Sequence, residues 1–82
     1  MELRIKEIQE KRKMKNVELS KLTGIGVQQI SYYHTGDRKP PLLTLEKISK
    51  ALNCEVSELL PVNPPFYHSY DEEGEWQGIR KK

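Results

Sequence analysis

One cysteine, Cys54, stands among 82 residues, so no disulfide can form within the chain. That fits a reducing compartment. No apolar run approaches the ~18 residues that a membrane-spanning helix needs. The N-terminal residues alternate charged and apolar side chains and show no signal-peptide hydrophobic region, so a cytoplasmic protein that meets no membrane is expected. An excess of one charge sign is also missing: 14 Lys and Arg face 12 Asp and Glu, for a net charge of +2. The distribution is less even. Residues 1–60 hold 11 Lys and Arg against 8 Asp and Glu, and residues 61–82 hold 3 against 4. The basic excess therefore belongs to the front of the chain, as a phosphate-binding domain would have it. Catalytic motifs are absent as well. No Ser-His-acid order, nucleophile elbow or phosphate-cradling Gly loop appears. His34, Cys54 and His68 stand at no recognised metal spacing. Neither catalysis nor a cofactor nor a metal is expected.

What is present is helical periodicity. Residues 2–13 place Ile5 and Ile8 on one face among Lys and Arg, an amphipathic helix. Asn16 is a suitable cap for a second helix that runs to Thr23, where Gly24 ends it. Ile25 and Gly26 alone separate it from a third periodic segment, Val27 to His34, which Gly36 stops. Two short helices around a tight glycine turn give a helix-turn-helix outline. After the polar loop "DRKPP", residues 42–52 repeat Leu42, Leu45, Ile48 and Leu52, a fourth helix with a core stripe. Asn53 suits a left-handed stop. "CEVSELL" reads as a short fifth helix with Val56, Leu59 and Leu60 apolar, closed by Pro61. The expectation is a compact all-α, five-helix domain over residues 1–60. Residues 61–82 then form a Pro-rich linker and an aromatic, acidic tail. The tail reads equally as two strands, Phe66–Tyr70 and Glu75–Ile79 around Asp71–Gly74, or as an unstructured segment.

One feature of the third helix points outside the fold. At about 100° per residue, Ile30, Tyr33 and His34 share the side with the aliphatic anchor. Gln28, Ser31, Tyr32 and Thr35 share the other, flanked by Val27 and Gln29. No acidic residue lies between Glu18 and Asp37, where a solvated helix would commonly carry Glu and Lys pairs. An uncharged stripe rich in donors and acceptors suits the DNA major groove. Gln bonds bidentately to adenine, Ser to several base edges, and a Val methyl packs on thymine. Phosphate contacts are expected from flanking groups: Asn16 at the start of the second helix, Arg38 and Lys39 in the following loop, Thr35 at the end of the stripe, and Arg12, Lys15 and Lys21 around them.

The stretch from Arg4 to Leu60 resembles the lambda repressor and Cro type of helix-turn-helix domain, the XRE family. "NVELSKLTGIGVQQISYY" is similar to the family's central motif, with Ser20 at its small position and Gly24 at its turn. Ile25, Ile30 and Tyr33 stand at its buried positions. "GDRKPPLLTLEKISKALNCEVSELL" is similar to its Gly-basic-Pro loop and last two helices. Asn16 departs from the commoner Gln, and Gly26 from the commoner Ser or Thr cap. The resemblance implies a lambda-repressor-like fold and a transcription regulator, commonly a repressor, on double-stranded operator DNA as a homodimer. The family's base contacts fall on Val27, Gln28, Gln29, Ser31 and Tyr32, and its phosphate contacts on Asn16 and the Arg38–Lys39 loop. The aromatic tail lies outside the resemblance. It keeps a second reading open, an antitoxin or protein-binding module that captures a partner protein through residues 66–79.

Overall fold

A computed structural model of the chain describes residues 2–82. Four α-helices form its helical part: α1 (Ile5–Lys11), α2 (Asn16–Thr23), α3 (Val27–Thr35) and α4 (Leu42–Ala51). A 3-10 turn (Val56–Leu59) follows, and then two strands, β1 (Phe66–Tyr70) and β2 (Trp76–Lys81). Two corrections to the sequence reading concern class. The expected fifth helix is this single 3-10 turn, and the chain is not purely α-helical. Glu55 and Leu60 are both extended, with ψ of 152° and 138°, Leu60 as the residue before Pro61, and only the four residues Val56–Leu59 remain helical between them. They tighten to i→i+3 bonds, with Glu58 N–H donating to Glu55 O at 3.0 Å and Leu60 N–H to Ser57 O at 3.2 Å.

Helix ends follow from backbone chemistry. α1 begins at Ile5 rather than residue 2 and stops short of residue 13 because Lys13 takes a positive φ of 55°. Its N–H donates to Glu10 O and that of Met14 to Gln9 O. This is the Schellman arrangement, held by Lys in place of the usual Gly. α4 ends the same way at Asn53, whose φ is 53°. Gly24 closes α2 in the left-handed region at φ 78°.

The core is Ile5, Ile8, Leu19, Ile30, Tyr33, Leu45, Ile48, Leu52 and Leu59, with Cys54 packed at its margin. Every helix and the 3-10 turn contribute. Leu42 is the exception to the expected α4 stripe: it stands at the helix tip and is 64% exposed. The buried face of α4 runs instead through Leu45, Ile48, Ser49 and Leu52. Cys54 behaves as a small core residue, and burial pushes its thiol up to about 11. Among the described residues no helix is long and apolar enough to cross a membrane.

Residues 66–81 form an antiparallel hairpin, Phe66 paired with Lys81 and His68 with Ile79. The second strand runs Trp76–Lys81 rather than the expected Glu75–Ile79. A lone hairpin is marginal in water, and here it is fastened to the helical part. Arg4 donates to Glu58 O at 2.7 Å and to the Tyr70 hydroxyl at 2.9 Å. That hydroxyl donates onward to the Glu58 carboxylate at 3.0 Å. The Lys11 ammonium stands 3.4 Å from the centre of the Tyr70 ring, a cation–π contact. His68 Nε2 donates to Leu60 O at 2.7 Å, and its Nδ1 accepts from the Trp76 indole at 2.9 Å. Glu58 is only 2% exposed. Tyr70→Phe removes the one side-chain hydrogen bond that the Glu58 carboxylate has among the described residues, and a buried acceptor stripped of its donor costs about 1–3 kcal/mol. Urea unfolding of the variant is expected to show a loss of that size; no change would mean that the Tyr70 hydroxyl does not hold the hairpin.

Candidate nucleic-acid interface

The outward face of α3 is a set of linked side chains. Gln28 Nε2 donates to the Tyr32 hydroxyl at 2.8 Å. The Arg38 guanidinium lies 5.1 Å from the centre of the Tyr32 ring. Gln29 Nε2 donates to the Tyr33 hydroxyl at 3.2 Å, and Gln29 Oε1 receives a long contact from Arg38 at 3.5 Å. The two adjacent tyrosines therefore part as the helical period dictates. Tyr33 is buried in the core with Ile30, and Tyr32 stands on the other side. Val27 is exposed at the start of the helix, and Ser31 is half-buried between the Gln28 and Tyr32 turns.

Gly36, left-handed at φ 83°, turns the chain out of α3 and brings the Arg38–Lys39 loop beside this face. The loop is tied back to the helix, with Arg38 N–H donating to Tyr32 O at 3.3 Å. Thr35 is committed within the chain. Its hydroxyl lies 2.9 Å from the Asp37 carboxylate and 3.2 Å from Tyr32 O, and accepts from Asp37 N–H. Lys15, Lys21, Arg38 and Lys39 are all exposed.

Two expected phosphate ligands have other partners. Arg12 is not gathered with the rest: it donates to Leu52 O at 2.9 Å and to Asn53 O at 3.3 Å, covering the carbonyl end of α4. The reason is angular. Arg12 projects on the same side of α1 as Ile5 and Ile8, so its head reaches across the core edge. Asn16 does not cap α2. Lys15 is the capping residue, without a side-chain bond, and Asn16 is the first helical residue. Its Oδ1 accepts from Gln9 Nε2 at 3.0 Å.

Gln9 is the residue the sequence reading passed over. It is buried between α1, α2 and α3, and its Nε2 also donates to Met14 O at 3.2 Å. His34 Nε2 lies 2.7 Å from Gln9 Oε1. With both Gln9 hydrogens spent on oxygen acceptors, its Oε1 can only accept, so the hydrogen sits on His34 Nε2. The chain of bonds runs from α3 through α1 to the first residue of α2. It leaves the Asn16 amide nitrogen directed away from Gln9. An uncharged polar residue on the apolar stripe of α1 was the available signal. Among the described residues no three His, Cys, Asp or Glu side chains come together to hold a metal ion.

Burial pushes the His34 pKa down, with Lys6 adding to the shift and Glu10 opposing it. The unfolded chain then takes up the proton first as pH falls through the ordinary histidine range near ~6.5. Stability is full above that range and declines below it until the folded ring is also protonated. His34→Gln keeps a donor toward Gln9 and removes the titration. Its unfolding free energy is expected to fall less steeply between about pH 7 and 5 than that of the parent chain; parallel curves would locate the acid sensitivity elsewhere.

No curated protein matches the chain at a significant level. The family profile of the Cro/C1-type helix-turn-helix DNA-binding domain matches residues 4–65, which takes in all four helices, the 3-10 turn and the linker and stops just before β1. With α2, the Gly24–Gly26 turn and α3 arranged as that motif requires, the chain belongs to the Cro/C1-type helix-turn-helix DNA-binding family.

Proposed function

We propose that the chain is a sequence-specific regulator of transcription, a repressor that lays α3 in the major groove of operator DNA and acts as a homodimer. The observation that carries this reading is the linked, acid-free outer face of α3. Gln28 uses one amide hydrogen on Tyr32. Its other amide hydrogen and its Oε1 remain, which is the donor and acceptor pair that adenine N7 and N6 require. The Tyr32 hydroxyl accepts from Gln28 and keeps its own hydrogen for a phosphate or base acceptor. Val27, Gln29 and Ser31 complete the base-facing group. Lys15, Lys21, Arg38 and Lys39 supply cations on the flanks, and the Asn16 amide adds a neutral donor at the start of α2. Thr35 and Arg12, with hydroxyl and guanidinium engaged inside the chain, contribute to placement rather than to phosphate binding.

One recognition helix reads only a few base pairs. Two copies spaced one turn of DNA apart, about 34 Å, give usable specificity.

Two substitutions separate reading from anchoring. Gln28→Ala is expected to cost about 1–3 kcal/mol on a site chosen from random oligonucleotides and little on unrelated DNA. Lys39→Ala should weaken both classes alike and make the dependence of log affinity on log salt shallower by about 1. Fluorescence anisotropy across a salt series measures both; unchanged cognate affinity for Gln28→Ala would remove α3 from the groove.

A further inference from the structure

The hairpin lies beyond the family match and plays no part in reading DNA as described above. Its outer edge is open. Lys82 N–H donates to Pro65 O at 3.0 Å and Asp71 N–H to Glu75 O at 2.9 Å. Bonded and non-bonded pairs alternate along an antiparallel ladder. Tyr67 and Ser69 therefore bond to β2, while the backbone groups of His68 and Tyr70 and the carbonyl of Phe66 point to the outer side of β1. Among the described residues the sheet has two strands. Among the described residues no backbone partner reaches those groups. Natural edge strands are guarded by Lys, Pro or inward-pointing charge. β1, "FYHSY", carries no charged residue and no Pro, and Phe66 and Tyr67 beside it are 48% and 38% exposed.

Charge says what fits there. The turn end of the hairpin carries Asp71, Glu72, Glu73 and Glu75, and the open end carries Arg80, Lys81 and Lys82, all exposed. The hairpin is thus negative at one end and positive at the other, with an uncharged strand along its edge. A strand that runs antiparallel to β1 and has the same charge layout matches it end for end, and a second copy related by a two-fold axis is such a strand.

We propose that two copies pair through β1, forming a continuous four-stranded sheet in the order β2–β1–β1–β2. The inference rests on the homodimer reading above and gives that dimer its interface. The register that overlaps all five residues puts the two-fold axis at His68. His68 pairs with its counterpart, Phe66 with Tyr70 and Tyr67 with Ser69. The carboxylates of each turn then lie beside the Arg80–Lys82 end of the other copy. The side chains of His68 and Tyr70 stay on the helical part, so edge pairing leaves the hairpin's own fastening in place.

Sedimentation equilibrium of the full chain tests this. The parent chain is expected to dimerise reversibly. Tyr67→Lys with Ser69→Lys sets like charges opposite one another twice across the axis and should weaken the dimer about tenfold or more. Tyr67→Lys with Ser69→Glu sets opposite charges in the same places and should hold the dimer near parental strength. Emission from Trp76, the sole tryptophan, reports that the hairpin stays docked in each variant. Should the strand substitutions loosen the hairpin, Glu72→Lys with Glu73→Lys tests the same register from the turn. It should weaken the dimer, and adding Arg80→Glu with Lys81→Glu should restore it. A dimer indifferent to all of these variants would overturn the β1 interface and leave the homodimer reading standing. A chain that stays monomeric at every concentration, alone and on its DNA site, would overturn both.

Discussion

The buried carboxamide of Gln9 is the point at which three helices are held to one another. It has two hydrogens and one strongly accepting oxygen, and each has a partner: Met14 O, Asn16 Oδ1 and His34 Nε2. An apolar side chain of the same size would leave the His34 hydrogen without an acceptor in a half-buried place. A Glu would turn an oxygen toward Met14 O and Asn16 Oδ1. Either change strands polar groups at about 1–3 kcal/mol each. Gln is therefore close to the single side chain that satisfies all three neighbours. The consequence reaches the outer face of α3. The start of α2 and the end of α3 are pinned from behind to the same atom group, so the angle between the two helices is set by α1 rather than by the glycine turn alone.

A second clasp performs a similar task for the hairpin. Arg4 bonds the Glu58 carbonyl, Glu7 and the Tyr70 hydroxyl, and its own N–H donates to Leu59 O at 2.8 Å. Lys11 covers the Tyr70 ring and Arg12 covers the end of α4. Three cations of the basic front of the chain are thus occupied in packing. Of the cations expected to flank α3, Lys15, Lys21, Arg38 and Lys39 stay exposed, a smaller set than the raw charge excess suggests. A net charge counts all cations equally; the fold divides them between structure and surface.

How far the fold can be read from residues alone depends on how local its cause is. The division of Tyr32 from Tyr33 needs only the helical period and one aliphatic anchor at Ile30, and it was legible. So were Gly24, Gly36 and Asn53 as left-handed stops, because each acts on its own helix end. Lys13 was not legible as a stop, since nothing in a Lys side chain favours a positive φ; the two bonds it frees for Glu10 and Gln9 carbonyls outweigh the strain. The expected fifth helix shrinks to one tight turn because Glu55 and Leu60, the residue before Pro61, are both extended and leave only Val56–Leu59 between them. Arg12 and Asn16 were assigned outward roles on charge and position. Their inward partners, Leu52 O, Asn53 O and Gln9, become visible only when distant segments meet. The hairpin itself could be drawn from its aromatics and Gly74. Its fastening could not, because Tyr70 and Arg4 stand at opposite ends of the chain.

The two adjacent cations after α3 show how the same loop can serve both placement and attraction. Arg38 stacks on Tyr32, reaches toward Gln29 and ties its backbone to the end of α3. Its guanidinium has five donors, so these contacts still leave hydrogens for a phosphate, offered from a fixed position. Lys39 makes no side-chain hydrogen bond among the described residues; in the proposed complex it follows the nucleic-acid backbone as a point charge. A guanidinium held in place loses little freedom on binding, whereas an ammonium on a flexible stem loses more but tolerates different backbone paths. The linkage of Gln28 to Tyr32, and of Tyr32 to Arg38, extends this economy across the outer face of α3: three long side chains are ordered against one another within the chain itself. In the proposed complex, discrimination between bases then depends on groups whose positions are already set, and the salt-dependent part of the affinity falls to the exposed cations.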